Sequence, residues 1–250
     1  MDPSNLSRPA SARNMYLAVF DTETTGLDPA TNDIIQFAIV VYHPRFEQPL
    51  VFESLCNPNI PIDPAAAAVH GITDEMVADA RPTSVVIKEL FAELFEMVGT
   101  ENLVLGGHNT EFDYRFIKKH IEIPANVFPI CTMRLARRKE PNATNHTLEY
   151  LYREYYKLSS PNTVKAHDAL CDVWMCYELL QHWTSDLTEC VDLADSLRKP
   201  VKLLTMPFGK HKGKSFKELP WHYVKWMNDQ TGDMDQDVRH TVQLIVARQY

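Results

Sequence analysis

Glycine is scarce, at 8 of 250 residues, and with 16 prolines this excludes a collagen-like or linker-dominated chain. Long apolar runs are absent: no window of about 18 apolar residues exists, so no transmembrane helix is expected. The five cysteines (Cys56, Cys131, Cys171, Cys176, Cys190) are odd in number and contain no C-x-x-C pair. That argues against a zinc ribbon or disulfide scaffold and for a reducing compartment, with the cytoplasm as the expected location. The first thirteen residues lack the apolar core of a signal peptide, and residues 1–14 read as a loose tail. Net positive charge is also missing: the formal total is -8. It is unevenly spread. Residues 1–199 carry -11, whereas residues 200–250 carry +3. An acidic body with a basic tail suggests two modules and leaves room for carboxylates gathered around cations.

What is present is an ordinary globular composition, 45% hydrophobic and 23% charged, long enough to bury a core without staples. Apolar, β-branched runs at 16–20, 33–42 and 50–55 predict strands with an antiparallel start, followed by short helical pieces over 61–77. Apolar residues at 86, 87, 90, 91, 94, 95 and 98 predict an amphipathic helix over 83–98. Short strands at 103–105 and 127–130 and helices over 110–121, 147–158 and 166–183 complete an α/β or α+β pattern. The character changes near Lys199 and Pro200, which divides the chain into 15–198 and 199–250.

Three segments carry chemistry. In FDTETTG (Phe20–Gly26), Asp21 and Glu23 stand two apart at the end of a strand and so share a face. Two anions there repel unless a cation lies between them; the alternative is a polar strand end entering a turn. In GHNTEFD (Gly107–Asp113), Asp113 sits one turn inside a helix, where Thr110 and Asp113 could also form a capping box. In HDALCD (His167–Asp172), Asp172 falls among the core-facing positions Leu170, Val173, Trp174, Tyr177 and Leu180. An unpaired carboxylate is costly there, and a metal ion or a neighbouring arginine would relieve the cost. His167 lies at the helix start, and imidazole suits proton removal at neutral pH.

This ordered set, D-x-E on a strand, then H-N-x-x-F-D, then H-x-x-x-x-D, resembles the DEDD superfamily of 3′–5′ exonucleases in its histidine-bearing (DEDDh) branch. The tyrosine branch would want Tyr at position 168, which is Asp168. The resemblance implies a ribonuclease-H-like mixed β-sheet flanked by helices, with a small C-terminal α+β module. It also implies Asp21, Glu23, Asp113 and Asp172 as metal ligands and His167 as general base. The cofactor implied is two Mg²⁺ ions, with Mn²⁺ able to substitute, because hard oxygen ligands select these over Zn²⁺. The expected reaction is two-metal hydrolysis at DNA 3′ ends, releasing 5′-mononucleotides. Two further stretches, ICTMRLARR (Ile130–Arg138) and PFGKHKGK (Pro207–Lys214), extend the resemblance from roughly Tyr16 to Trp226, and the resemblance of the second, in the tail, tilts the expected substrate towards DNA. RNA is the rival substrate, and a non-catalytic nucleic-acid-binding module is the rival from another class. No protein partner and no membrane are deducible.

For substrate contacts, Thr24 and Gly26 would offer backbone N–H groups to the terminal nucleotide, and Leu27 would wedge beside the last base. His70 and Ile72 match the region lining the terminal-nucleotide pocket in this branch. A helix C-cap is the alternative at His70–Gly71. Asn109 either touches substrate or holds its own loop. Arg137 and Arg138, clustered with Arg134 and Lys139, are expected to form a phosphate-contacting face. Lys210, Lys212 and Lys214 are expected to grip nucleic acid or to protect a hairpin edge, with Trp221, Tyr223 and Trp226 as the module's core.

Overall fold

The structure, a computed structural model, describes residues 15–160, 162, 167–184, 192, 197, 199–230, 232 and 234–248. The expected tail over 1–14 and Cys190 lie outside the described residues. Strands β1 (Tyr16–Thr24), β2 (Ile34–Tyr42), β3 (Leu50–Leu55), β4 (Leu103–Gly107) and β5 (Phe128–Cys131) form one sheet in the order β3-β2-β1-β4-β5. β1 pairs antiparallel with β2 and parallel with β4, and β4 is parallel to β5. The sheet is therefore mixed and β1 is its central strand. Helices follow as α1 (Pro64–His70), α2 (Asp74–Val77), α3 (Thr83–Val98), α4 (Thr110–Ile117), α5 (Thr132–Lys139), α6 (Ala169–Trp183), α7 (Trp221–Asp229) and α8 (Gln236–Ala247). This is the expected mixed sheet flanked by helices.

Both faces of the sheet are covered over β1, β2 and β4, so these strands are apolar almost throughout, whereas the edge strand β3 is largely exposed. Along β1 the side chains alternate: Leu17 and Val19 join the core beneath α5 and α6, whereas Ala18 and Phe20 join the core beneath α3 and α4. β4 ends in Gly106 and Gly107 because nothing larger fits. A Cβ would lie 1.8 Å from the Ile130 carbonyl oxygen at the first and 2.3 Å from that of Phe20 at the second. The close approach lets β4 sit between β1 and β5, with α4 starting at its end.

The segment expected as a helix over 147–158 is helical but shorter, and it winds as a π-helix over Tyr150–Tyr155. Tyr156 N–H donates to Leu151 O and Leu158 N–H to Tyr152 O. Leu148, Leu151 and Tyr152 are still buried against α6, so the apolar stripe is spent as expected while the backbone winds more loosely. Among the described residues, no helix is long and apolar enough to cross a membrane.

A separate small core lies towards the C-terminus, built from Leu203, Met206, Phe216, Leu219, Val224, Met227, Val238 and Val242. The Lys-rich segment before it is a loop closed by one bridge, Thr205 to Ser215, rather than a hairpin of two strands. This unit is fastened to the sheet domain by buried charge. Asp237, fully buried, receives Arg137 at 2.9 Å and Arg134 at 3.2 Å, and Asp235 receives Arg137 at 2.8 Å. Asp237 also accepts the N–H of Val201 at 2.8 Å.

Candidate active site

The strand geometry that alternates Leu17 and Val19 towards α6 carries on to Asp21 and Glu23, which emerge on that same face. Gln36, opposite Glu23 on β2, anchors the start of α6: its side-chain oxygen accepts the N–H of Ala169 at 3.2 Å. Asp168 caps the helix, its carboxylate accepting the N–H of Cys171 at 3.4 Å. One turn later Asp172 faces the end of β1. Carboxylate oxygens of Asp21, Glu23 and Asp172 all lie within 4.8 Å of one another.

Asp113 arrives from the other side of the sheet. Its Oδ1 accepts both the N–H of Thr22, at 3.2 Å, and the Thr22 hydroxyl, at 2.6 Å. The capping box considered for Thr110 and Asp113 is not formed. Thr110 Oγ1 instead accepts the N–H of Gly107 at 3.0 Å, and Asn109 supplies the helix start in a left-handed conformation, with no side-chain cap.

Burial, with the carboxylates of Asp113, Asp172, Glu23 and Asp168 around it, drives the pKa of Asp21 well above the usual range. Burial pushes Asp113 up to about 7, against the lowering effect of its Thr22 hydrogen bonds. Burial also pushes Asp172 up to about 6, although His167 opposes the shift through its charge and its backbone N–H. Asp172 Oδ1 is buried with no hydrogen-bond partner among the described residues. Mutual repulsion, an orphaned oxygen and an all-oxygen donor set are the features a divalent cation satisfies. The carboxylates therefore fit the metal ligation the motifs imply.

All four acids and His167 border one cavity of about 630 Å³. His167 is exposed and holds a left-handed backbone conformation (φ 58°), a placement that costs a non-glycine residue of order 1 kcal/mol. Asn109 also borders the cavity, as do Lys212 and Arg137. The opposite wall is a surprise: it comes from Leu203–Phe208 of the C-terminal unit, with Asp235. His108, another wall residue, is buried between Thr132 Oγ1 and the His146 carbonyl, both at 2.9 Å. Burial holds its pKa down to about 4, so it is a neutral structural imidazole. Sequence reasoning missed this second wall, because nothing local in 203–208 marks it.

The remaining expected contacts are placed as follows. Thr24 is buried and its hydroxyl donates to the Gly26 carbonyl at 2.8 Å. Gly26 packs against Asn32, whose Oδ1 would lie 2.6 Å from a Cβ. Leu27 is 81% exposed and packs against nothing that hides it. His70 is buried at the end of α1, its Nδ1 accepting the N–H of Ile72 at 3.0 Å, and Gly71 is the left-handed C-cap. Ile72 packs with Ile35, Ile62 and Val77; it is a core residue and does not border the cavity.

Two expectations are corrected. Arg137 is not an open phosphate-contacting residue: although it borders the cavity, it is 4% exposed and its Nη1 donates to Asp235 at 2.8 Å and to Asp237 at 2.9 Å. Arg138 is exposed, but donates to the Lys199 carbonyl at 3.0 Å, so that cluster fastens the C-terminal unit. The second concerns the aromatics. Trp221 and Trp226 are 41% and 53% exposed, and it is Val224 and Met227 that enter the core. Lys210, Lys212 and Lys214 are all exposed, and Lys212 alone of the three borders the cavity.

The sequence profile described as exonuclease (RNase T) matches residues 18–180, and one described as a putative quorum-sensing-regulated virulence factor matches residues 195–234. Exodeoxyribonuclease 10 of Escherichia coli is 30% identical over 236 residues, covering 90% of this chain and 96% of the relative. A DNA polymerase III subunit epsilon-like protein of Rhodobacter capsulatus is 43% identical over 107 residues, covering 42% of this chain and 14% of the relative. Among solved structures, exonuclease X in complex with 5′-overhanging duplex DNA superposes with a TM-score of 0.50 at 29% identity, covering 73% of this chain and 93% of that one. An exonuclease I structure gives 0.58 at 19% identity, covering 74% and 44%, and shares the fold. The resemblance to bacterial exonuclease X carried by ICTMRLARR and PFGKHKGK is thereby borne out. With a profile match spanning the whole carboxylate site and a relative aligned end to end, the chain belongs to the exonuclease family.

Proposed function

We propose that the protein is a divalent-metal-dependent 3′–5′ exonuclease that removes 5′-mononucleotides from DNA ends. The observation that carries the reading is the convergence of Asp21, Glu23 and Asp172 within 4.8 Å, beside Asp113 and His167 in one cavity. Exodeoxyribonuclease 10 and exonuclease X, to which the chain is similar, are named for DNA or solved with it.

In this reading Asp21, Glu23, Asp113 and Asp172 hold two Mg²⁺ ions, or Mn²⁺ in their place. Bound there, such ions lower the pKa of an attacking water and stabilise the charge that develops on the departing 3′ oxygen. The chain's own residues do the rest. His167, exposed at the cavity and unconfined by packing, takes the proton from the attacking water. Asp172, which holds the His167 backbone N–H, fixes where that imidazole starts. Thr22, through its two bonds to Asp113, sets the direction of the fourth carboxylate. Leu27, bare at the end of the first motif, stands ready to wedge against a terminal base, and the Thr24–Gly26 backbone supports that loop. Lys212 and Lys202 supply positive charge on a rim that also carries the four acids.

One assay tests polarity, sugar choice and metal need together: 3′- and 5′-labelled DNA, single- and double-stranded, and RNA, each with Mg²⁺ or EDTA. Mononucleotides released from the 3′ end of DNA, and nothing in EDTA, are expected. Release from 5′ ends or preferred loss of RNA would overturn the reading. His167→Ala is expected to lower kcat by about 10²–10⁴, the usual worth of a general base, while Mn²⁺ binding measured by calorimetry persists. Loss of Mn²⁺ binding in that variant would make His167 a ligand rather than a base.

A further inference from the structure

The C-terminal unit carries an aromatic surface that its own folding uses only in part: Tyr223 is half-buried against the small core, whereas its neighbour Trp226 is not. α7 buries Val224 and Met227, and it leaves Trp226 exposed beside Tyr223. The two rings are nearly parallel, 25° apart with centroids at 5.4 Å. His211 adds a third ring 4.6 Å from Tyr223, and the Lys210 ammonium lies 5.4 Å from the centre of the same tyrosine. An indole left 53% exposed is a cost in water unless something covers it.

We infer that the Tyr223–Trp226 stack, with His211 and Lys210, is a stacking site for unpaired bases of single-stranded DNA whose 3′ end occupies the carboxylate cavity. This rests on the nuclease reading and extends it to the strand upstream of the cut. Three observations point to this occupant. Sequence-tolerant binding of single strands combines aromatic platforms with cations along the backbone, and the segment 200–250 is net +3 on an acidic body. Lys210, Lys212 and Lys214 have no carboxylate partner among the described residues. The stack is also continuous with the cavity. Phe208 and Lys212 line its wall, and the single 3₁₀ turn between them, Gly209–His211, delivers Lys210 and His211 to Tyr223. An acidic protein partner would find the lysines but has no special use for two parallel rings, whereas every base has a face to stack on them.

The test uses the full chain in EDTA, so that binding is read without cleavage, with oligothymidylates of three and twelve nucleotides. Tyr223→Ala/Trp226→Ala is expected to weaken the twelve-mer by tenfold or more and to change the three-mer, which reaches only the cavity, by less than twofold. Tyr223→Phe is expected to restore most of the affinity. In the native protein the twelve-mer should quench tryptophan emission, and Trp226→Phe should remove that quench. This second readout stands even if the double alanine variant fails to fold. Unchanged twelve-mer affinity, or equal loss for both lengths, would overturn the inference. If native protein degrades DNA with Mg²⁺ while the variants bind the twelve-mer equally well, only the stacking site fails; if native protein releases no mononucleotides from DNA with Mg²⁺, the nuclease reading fails with it.

Discussion

Asp172→Asn is expected to lower kcat by at least about 10²–10³ and, in the same molecule, to raise the melting temperature of the metal-free protein. The kinetic loss follows from the ligand's role: each tenfold is about 1.4 kcal/mol, and a catalytic cation contributes several. The gain in stability follows from the carboxyl's surroundings. Burial holds Asp172 at about 6, above the ordinary carboxylate value of about 3.9. A raised native pKa means that the folded chain binds more protons than the unfolded one across that interval. Stability of the metal-free protein therefore falls as pH rises from about 4 to about 6, and the penalty is fully present above it. Asparagine keeps the shape without the charge. Its advantage over the native protein should be largest near pH 8 in EDTA and should vanish near pH 4. Added Mg²⁺ should reverse the order, raising the native melting temperature at pH 8 and not that of the variant. A variant that melts below the native protein in EDTA at pH 8 would show that Asp172 is held by partners rather than strained.

Asp237→Ala is the second large effect. Its carboxylate is wholly buried between Arg134 and Arg137 and accepts the Val201 N–H. Removing it leaves two guanidinium groups and a backbone donor short of a partner. Breaking a buried pair of this kind costs about 3–5 kcal/mol, comparable with the whole stability of a unit of some 50 residues. The expected outcome is release of the C-terminal unit while the sheet domain stays folded. Limited proteolysis would then cut near residue 200, and a urea titration would show an early transition absent from the native chain. Asp237→Leu combined with Arg134→Met and Arg137→Met should recover much of the loss, because apolar replacement of all three partners removes the stranded charge. A single late transition for Asp237→Ala would show that the apolar seam holds the two units together by itself.

What was legible in the sequence is what local periodicity dictates. Asp21 and Glu23 share a face because a strand repeats every two residues, and Asp172 stands out because a carboxylate sits in an otherwise apolar helical stripe. Three features were not legible, each for its own reason. The burial of Arg137 depends on partners about 100 residues away, and no local pattern distinguishes a buried guanidinium from a solvated one. The π-type winding at Tyr150–Tyr155 buries the same residues an α-helix would, so the apolar pattern cannot separate them. Trp221 and Trp226 read as core because large aromatics usually are; only the packing shows that Val224 and Met227 already fill the available space.

That Leu203–Phe208 closes the cavity opposite the acids divides labour along the gene. In the proposed reaction, every side chain assigned to bond cleavage is encoded before residue 184, while part of the wall around the cavity is encoded after residue 200. The tail can thus be rewritten by mutation, changing which ends are admitted, without disturbing the reaction itself. A truncated chain would keep its blade and lose its sheath.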